Sequence, residues 1–499
     1  MMDMNVLVPL RQIKKVGARE TQNIVSLEVS KEHSTKLLKV GILFSGGPAP
    51  GGHNVVAGLY HALKELNPNN SLSGYLGGPQ GLLDGKFIEI TSSLVDDFFN
   101  LGGFHMLGSG RTKIETDEDF QKAMQVCNNH RLNALVFVGG DDTNTNAALL
   151  DEYLKKHGQH CVIIGVPKTI DGDLKSSEIE ISFGFDTACK VYSEMIGNIC
   201  FDAVSSRKYW HFIKLMGRKA SHVTLECALQ THPNLTFISE EVEEKNESLS
   251  DIISTVADTV MKRAQDGKNY GVCLIPEGLI EFVPEFKSLI TALNRVLAEG
   301  RSTEHLPSGQ KELFDTLPDA IQCQLLQDRD PHGNVQVSKI ETEKLVYEMV
   351  DQELKKRAFK GKFNPIAHFF GYEGRCSHPS LFDGVYCYNL GYVSAALIQN
   401  EKSGYMAGIK NLDQSVEKWQ PIGVKISKML IDEERKGKIK KVIEKAVVKL
   451  KDPAFEEFKK SRADWQIHDC YQSPGPIQFE GTKKAAITKT LALERAGQK

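Results

Sequence analysis

Two adjacent carboxylates, Asp141 and Asp142, follow directly on Gly139 and Gly140. Packing gives no reason for such a pair, because like charges side by side repel unless a cation joins them. Magnesium prefers carboxylate oxygen completed by waters and phosphate oxygens, which one of these aspartates suits; an acidic surface turn or helix cap is the alternative. A second set, Pro167-Lys168-Thr169-Ile170-Asp171-Gly172-Asp173, offers a cation, a hydroxyl and two carboxylates. In an extended segment Asp171 and Asp173 share a face, so one can take a proton while the other holds metal or orients the first. A polar loop capped by its own side chains is the competing reading.

Glycines in Gly46-Gly47-Pro48-Ala49-Pro50-Gly51-Gly52 would let the backbone approach a phosphate, with a following helix N-terminus offering free N–H groups. This run is neither the GxGxxG fingerprint nor a P-loop, and a tight turn explains it equally well. Gly81 to Lys86 has the wrong spacing for a P-loop. Arg111, Lys168, Lys208, Arg218 and Arg375 each lie in or beside a glycine-rich or strand-end motif. Each alone could be a surface ion pair, but together they suit a site gripping several phosphoryl groups. Glu277, just before Gly278, could accept sugar hydroxyls. His211, His222, His232 and His378 show no metal-ligand spacing and read as structural.

The elements that must position these groups are short apolar runs alternating with longer amphipathic stretches, the pattern of a parallel sheet wrapped by helices. Candidate strands are Val40–Phe44, Ala134–Val138, Val162–Val166, Trp210–Leu215, Gly271–Ile275 and Pro365–Phe370, apolar enough to be covered on both faces. Each is followed at once by glycine and polar residues, and in open α/β sheets ligands sit outside the carboxyl ends of strands. Phe282 to Lys362 is poor in strand signal and reads as a helical insertion with polar loops at Arg301–Gln310 and Asp328–Gly333. The stretch Ile431 to Arg462 reads as a solvated surface helix.

Composition sets the outer bounds. The chain has 499 residues, enough for two to four domains. Sixty-one basic residues against 64 acidic ones leave a net charge of −3, giving no global electrostatic reason to favour nucleic acid or an anionic membrane. Ten cysteines stand singly, which points to a reducing compartment. Met1 to Arg11 lacks the features of a secretory leader, no apolar run approaches 18 residues, and Ala496 to Lys499 carries no retention or peroxisomal address. A cytoplasmic location is expected.

The motifs, their order and their spacing resemble the phosphofructokinase superfamily from about Lys39 to Asp383. Within it they look like the long-type pyrophosphate–fructose 6-phosphate 1-phosphotransferases. Tyr209-Trp210-His211-Phe212 through Met216-Gly217-Arg218 to Glu226–Pro233 is especially similar to the plant-type catalytic subunit. The resemblance implies two Rossmann-like three-layer α/β domains with mostly parallel sheets plus a helical insertion. It divides the chain into an arm (1–37), a pyrophosphate and magnesium domain (38–185), a fructose 6-phosphate domain (186–375, insertion about 282–362) and a return segment with a helical tail (376–499).

It also implies roles. Gly46 and its loop would hold pyrophosphate, with Arg111 neutralising it, and Asp141 would bind Mg2+. Asp171 would deprotonate the sugar 1-hydroxyl, with Thr169 and Ile170 lining the site and Asp173 beside it. Met216, Gly217, Arg218, Glu277, Tyr372, Glu373, Gly374 and Arg375 would contact the sugar phosphate. Lys208 and Tyr209 would reach a neighbouring subunit's substrate, implying a homodimer or homotetramer, with a regulatory subunit also possible. ATP-using relatives carry glycine where this chain has Asp142, whose carboxylate would fill the space and oppose the charge of a nucleotide α-phosphate. Lys168 would place positive charge near the transferred phosphoryl group. An ATP-dependent phosphofructokinase, a non-catalytic regulatory subunit and a dinucleotide-binding oxidoreductase are the competing assignments.

Overall fold

Continuous apolar runs, without the alternation of a half-exposed strand, demand cover on both faces. All six candidate runs are strands: Lys39–Phe44, Ala134–Gly139, Val162–Thr169, Trp210–Leu215, Gly271–Pro276 and Pro365–Phe370. The computed structural model describes residues 17–20, 24–28, 37–327, 335, 337–435, 438–476 and 488–497. The expected loop Asp328–Gly333, the N-terminal segment Met1–Arg11 and the last two residues, Gln498 and Lys499, lie outside them. The chain divides into two compact units, one of Met1–Ala188, Tyr372–Ala446 and Gln478–Ala492, the other of Cys189–Gly371, Val447–Ile477 and Leu493–Lys499.

The first unit carries a ten-stranded sheet with Ser71–Tyr75, Lys39–Phe44, Ala134–Gly139, Val162–Thr169 and Tyr405–Lys410 running parallel as neighbours. Gln420–Lys425, Ile24–Glu28 and Gly17–Glu20 extend it antiparallel on one side, and Phe87–Glu89 closes the other. From Lys39–Phe44 the chain moves first to Ser71–Tyr75 on one flank and later to Ala134–Gly139 on the other. That reversal opens a crevice at the carboxyl ends of Lys39–Phe44 and Ala134–Gly139, where ligands of doubly wound sheets bind. Two helices beside the sheet, Gly52–Leu66 and Leu381–Gln399, meet each other at van der Waals backbone distance. Gly58, on the helix Gly52–Leu66, faces the Tyr388 carbonyl on Leu381–Gln399 so closely that a Cβ would lie 2.0 Å from its oxygen.

The second unit has four parallel strands in the order Leu235–Thr236, Gly271–Pro276, Trp210–Leu215, Pro365–Phe370. The residues expected as a helical insertion do form helices, and these supply much of this unit's core. Phe286, Leu289 and Leu293 from Pro284–Ala298 and Leu345, Val346 and Val350 from Thr342–Lys356 share one cluster with Trp210 and Phe212. The buried Lys214 ammonium pairs with Glu343 at 3.3 Å and donates to the Ile340 carbonyl at 2.9 Å.

Two expectations fail. Pro365–Phe370 is only half-buried along its whole length, and it is the edge strand of its sheet, with no partner on its outer side among the described residues. The stretch Ile431–Arg462 is not one helix. Leu430–Arg435 and Lys438–Ile443 form an antiparallel hairpin, an irregular segment follows, and only Pro453–Ile467 is helical. Pro453 stands at the helix's first position, where its fixed φ is tolerated, and cannot sit inside a longer helix.

Candidate active site

In the first unit, two strand ends and one later segment assemble a charged cluster. Beyond Lys39–Phe44 the chain turns through Gly46, which has φ of +84°, a conformation glycine adopts without strain. The Gly46 N–H donates to the Gly110 carbonyl at 2.9 Å, so Arg111, which follows, is tethered beside this loop. Gly46 contributes by having no side chain: a Cβ there would come within 3.3 Å of the Lys168 Nζ. Arg375 lies against the next glycine, its Cζ 3.6 Å from where a Gly47 Cβ would be, and its guanidinium stands over the Tyr372 ring at 5.0 Å. Two cations therefore flank the glycine turn.

Ala134–Gly139 delivers Asp141 and Asp142 to the first turn of the helix Asp141–Lys156. The buried Asn144 amide fixes the junction by donating to the carbonyls of Gly139 and Gly140 at 2.8 and 2.9 Å. Asp142 faces outward and pairs with Lys113 at 3.3 Å. Burial raises the Asp141 pKa, the Lys445 ammonium opposes that rise, and the Asp142 and Asp173 carboxylates add to it.

Val162–Thr169 ends in the Lys168-to-Asp173 segment. The Thr169 hydroxyl accepts from the Asp171 N–H and donates to an Asp173 oxygen, both at 3.0 Å, so one hydroxyl sets the relative placement of both aspartates. Lys168 is buried, and burial pulls its pKa down to about 8. The carboxylates of Asp171, Asp173 and Asp141 resist that fall while Arg375 adds to it.

Sequence reasoning missed Lys445. Its Nζ lies 2.9 Å from one Asp173 oxygen and 3.5 Å from Asp141 Oδ2. Burial disfavours its charge, yet these carboxylates outweigh burial and hold its pKa above the ordinary lysine value. The two carboxylates are thus spaced to share one cation. No group of three or more His, Cys, Asp or Glu side chains that could hold a metal occurs among the described residues. A hard divalent cation here would draw on Asp141, helped by Asp173, and on phosphate oxygens or water. Magnesium tolerates that donor set.

In the second unit the carboxyl ends of Trp210–Leu215 and Gly271–Pro276 meet. Glu277 is buried, its N–H donates to the Leu215 carbonyl at 2.9 Å, and its Oε2 accepts from the Gly217 N–H at 3.1 Å. Met216 is buried and donates its N–H to Phe370. Arg218 and Lys219 both pair with Glu281, at 2.9 and 2.8 Å, leaving this exposed patch one positive charge in excess. Lys208 and Tyr209 are exposed at the opposite, amino end of Trp210–Leu215. Six strand residues separate them from Met216, roughly 20 Å at about 3.3 Å per residue.

The expected residues therefore fall into three places. Gly46, Arg111, Asp141, Asp142, Lys168, Thr169, Ile170, Asp171, Asp173 and the Tyr372–Arg375 segment belong to the first unit. Met216, Gly217, Arg218 and Glu277 gather in the second, and Lys208 and Tyr209 stand apart from them.

Residues 39–398 match the family described as Phosphofructokinase. Pyrophosphate–fructose 6-phosphate 1-phosphotransferase subunit beta 2 of Arabidopsis thaliana is 50% identical over 485 residues, covering 95% of this chain and 85% of its own. The Entamoeba histolytica protein named pyrophosphate–fructose 6-phosphate 1-phosphotransferase is also 50% identical, covering 95% and 89%. A plant alpha 2 subunit, again from Arabidopsis thaliana, is 42% identical, covering 95% and 79%. Among solved structures, a pyrophosphate-dependent phosphofructokinase from Nitrosospira multiformis shares the fold with a TM-score of 0.59 at 14% identity, covering 89% of this chain and 95% of that one. Family match, relatives and fold thus agree, and the chain belongs to the phosphofructokinase family, among its pyrophosphate–fructose 6-phosphate 1-phosphotransferases.

Proposed function

We propose that this chain transfers a phosphoryl group from pyrophosphate to the 1-hydroxyl of fructose 6-phosphate, giving fructose 1,6-bisphosphate and phosphate. Relatives named for that reaction span nearly the whole chain at about half identity. The geometric observation that carries it is Lys168. Its buried ammonium stands against the glycine turn on one side and beside the Asp171 and Asp173 carboxylates on the other, joining a phosphate cradle to a base.

The chain's own groups divide the work. Asp171 takes the proton of the sugar 1-hydroxyl as the oxygen attacks. Thr169 holds Asp171 and Asp173 in place, and Ile170 lines the same segment. Lys168, Arg111 and Arg375 offset charge on the transferred and departing phosphates beside the loop of Gly46 and Gly47. Phosphoryl transfer needs mainly positioning and charge stabilisation, which such a set supplies. Mg2+, held at Asp141, supplies Lewis-acid polarisation of the phosphate oxygens when bound. Glu277, Met216, Gly217 and Arg218 are the second unit's candidates for holding the sugar phosphate; Tyr372, Glu373, Gly374 and Arg375 are the first unit's. Asp142, projecting from the same helix start as Asp141, opposes a nucleotide donor by bulk and charge.

Since pyrophosphate and the bisphosphate have similar transfer potential, the step runs both ways in glycolysis or gluconeogenesis. The active form is an oligomer in which Lys208 and Tyr209 serve a neighbour's substrate, and a regulatory subunit can join it. No described helix is long and apolar enough to cross a membrane, and a cytoplasmic setting fits the reaction. The test is initial rate with fructose 6-phosphate, magnesium and either pyrophosphate or ATP, for wild type and Asp142→Gly, with the reverse rate from phosphate and the bisphosphate. Turnover with pyrophosphate in both directions, and ATP use gained by the variant, is expected. A wild type that prefers ATP overturns the donor assignment.

A further inference from the structure

The segment after the hairpin is bound to both acidic loops of the first unit. The Ile443 N–H donates to the Thr145 hydroxyl, on the helix that begins with Asp141, at 3.3 Å. Two residues on, the Lys445 ammonium donates to an Asp173 oxygen at 2.9 Å and lies 3.5 Å from Asp141 Oδ2. The Ala446 N–H then donates to the Asp173 carbonyl at 2.8 Å. Main-chain bonds on either side thus deliver one ammonium between two carboxylates that come from different strand ends. A third of the Lys445 side chain remains open to solvent, which leaves its head a way out.

A lysine there does something a merely structural cross-link need not do. It fills, with a single charge, the point where a divalent cation would meet Asp141 and Asp173. A cation arriving alone must displace the ammonium or lie beside it at like-charge distance. A cation arriving on pyrophosphate brings anionic oxygens with which the ammonium can pair instead.

We propose that Lys445 is the resident counter-cation of Asp141 and Asp173, and that it makes the divalent metal bind as its pyrophosphate complex rather than alone. The proposal rests on the reading of Asp141 as metal ligand. It makes Lys445 a positioning residue whose removal tightens binding of free metal, whereas loss of a purely structural contact would loosen it.

The experiment is titration of the full chain with Mn2+, free ion being read by electron paramagnetic resonance, with and without methylenediphosphonate as an unreactive pyrophosphate stand-in. Without the diphosphonate, wild type should bind Mn2+ weakly and Lys445→Gln about tenfold or more tightly, as expected when a competing charge is removed. Lys445→Arg, which keeps the charge, should stay near wild type. With the diphosphonate, wild type should tighten by a similar factor. A Lys445→Gln chain of unchanged thermal midpoint that binds free Mn2+ no better overturns the proposal. Wild type binding Mn2+ equally well alone overturns it too, and needs no variant to fold. Asp141→Asn separates the two readings. If it keeps wild-type Mn2+ affinity with diphosphonate, the metal-ligand reading falls. If it loses that affinity while Lys445→Gln fails to tighten, only the counter-cation proposal falls.

Discussion

At the residue scale, the proposed mechanism turns on protons held at two atoms. Asp171 must accept one, and a general base contributes ~10²–10⁴ in rate, so Asp171→Asn should lower kcat by about that factor with little change in the thermal midpoint. Lys168 must keep one. Burial has drawn its pKa down to about 8, so in the free enzyme it is charged below that pH and loses its charge above it. The value of kcat/KM for pyrophosphate reports the free enzyme and should fall as pH rises through about 8. Lys168→Arg, whose guanidinium stays protonated, should push that limb upward. A limb that does not move in the arginine variant would assign the titration to another group. Both residues were legible in the sequence because a cation, a hydroxyl and two carboxylates stood together in seven positions. Lys445 was not. It sits in a lysine-rich tract like any surface lysine, and its meaning comes from a contact with Asp173 across 272 residues of chain.

At the scale of elements, sequence legibility followed burial. Runs such as Ala134–Gly139, buried at every position, could only be strands covered on both sides. Ser71–Tyr75, reading Ser-Leu-Ser-Gly-Tyr, carries too little apolar content to announce itself and is a strand because Lys39–Phe44 pairs with it. The hairpin Leu430–Arg435 with Lys438–Ile443 was hidden because its lysines and isoleucines also fit a helical period; cross-strand pairing such as Asp432 opposite Lys441 decides the matter. The crossing of Gly52–Leu66 and Leu381–Gln399 gives the sharpest stability prediction. A Gly58→Ala methyl would enter the Tyr388 carbonyl, so the helices must separate. Calorimetry or denaturant unfolding should show a loss of about 3 kcal/mol, the upper range for overpacking a close contact. A loss below that of an exposed helix substitution would mean the helices can part freely.

At the scale of the whole molecule, Lys208 and Tyr209 stand one strand length from Met216 and Arg218, so one sugar phosphate held at Met216 is out of their reach within the chain. If they serve a partner's site, mixing inactive Asp171→Asn with inactive Lys208→Ala chains should restore turnover, because each mixed dimer then owns one site with a normal base and a normal lysine. Random pairing should recover about a quarter of wild-type activity, and no recovery would place Lys208 in its own chain's site. Acid stability is a second whole-chain property. His53 and His211, buried in separate units, each have a pKa lowered from 6.5 to about 4, chiefly by burial. The unfolded chain takes up these protons near pH 6.5 while the folded chain resists to about 4. Stability is therefore full above 6.5 and declines as pH falls, by about 3 kcal/mol for each histidine at the limit. The thermal midpoint should drop between pH 7 and 5, and a His211→Gln chain should show a shallower drop.

The order in which the sheets close has a consequence for synthesis. In the second unit all four strands have been synthesised once residue 370 has been made. In the first, Val162–Thr169 takes Tyr405–Lys410 as its neighbour on one side, a strand made roughly 240 residues later, or some tens of seconds at ~5–20 residues per second. Until then a nascent chain carries an open, apolar strand edge next to the segment that bears Lys168 and Asp171. Of the two sheets, the first unit's is thus the last to be completed, and its open edge is the one that most needs shielding from neighbouring chains during synthesis.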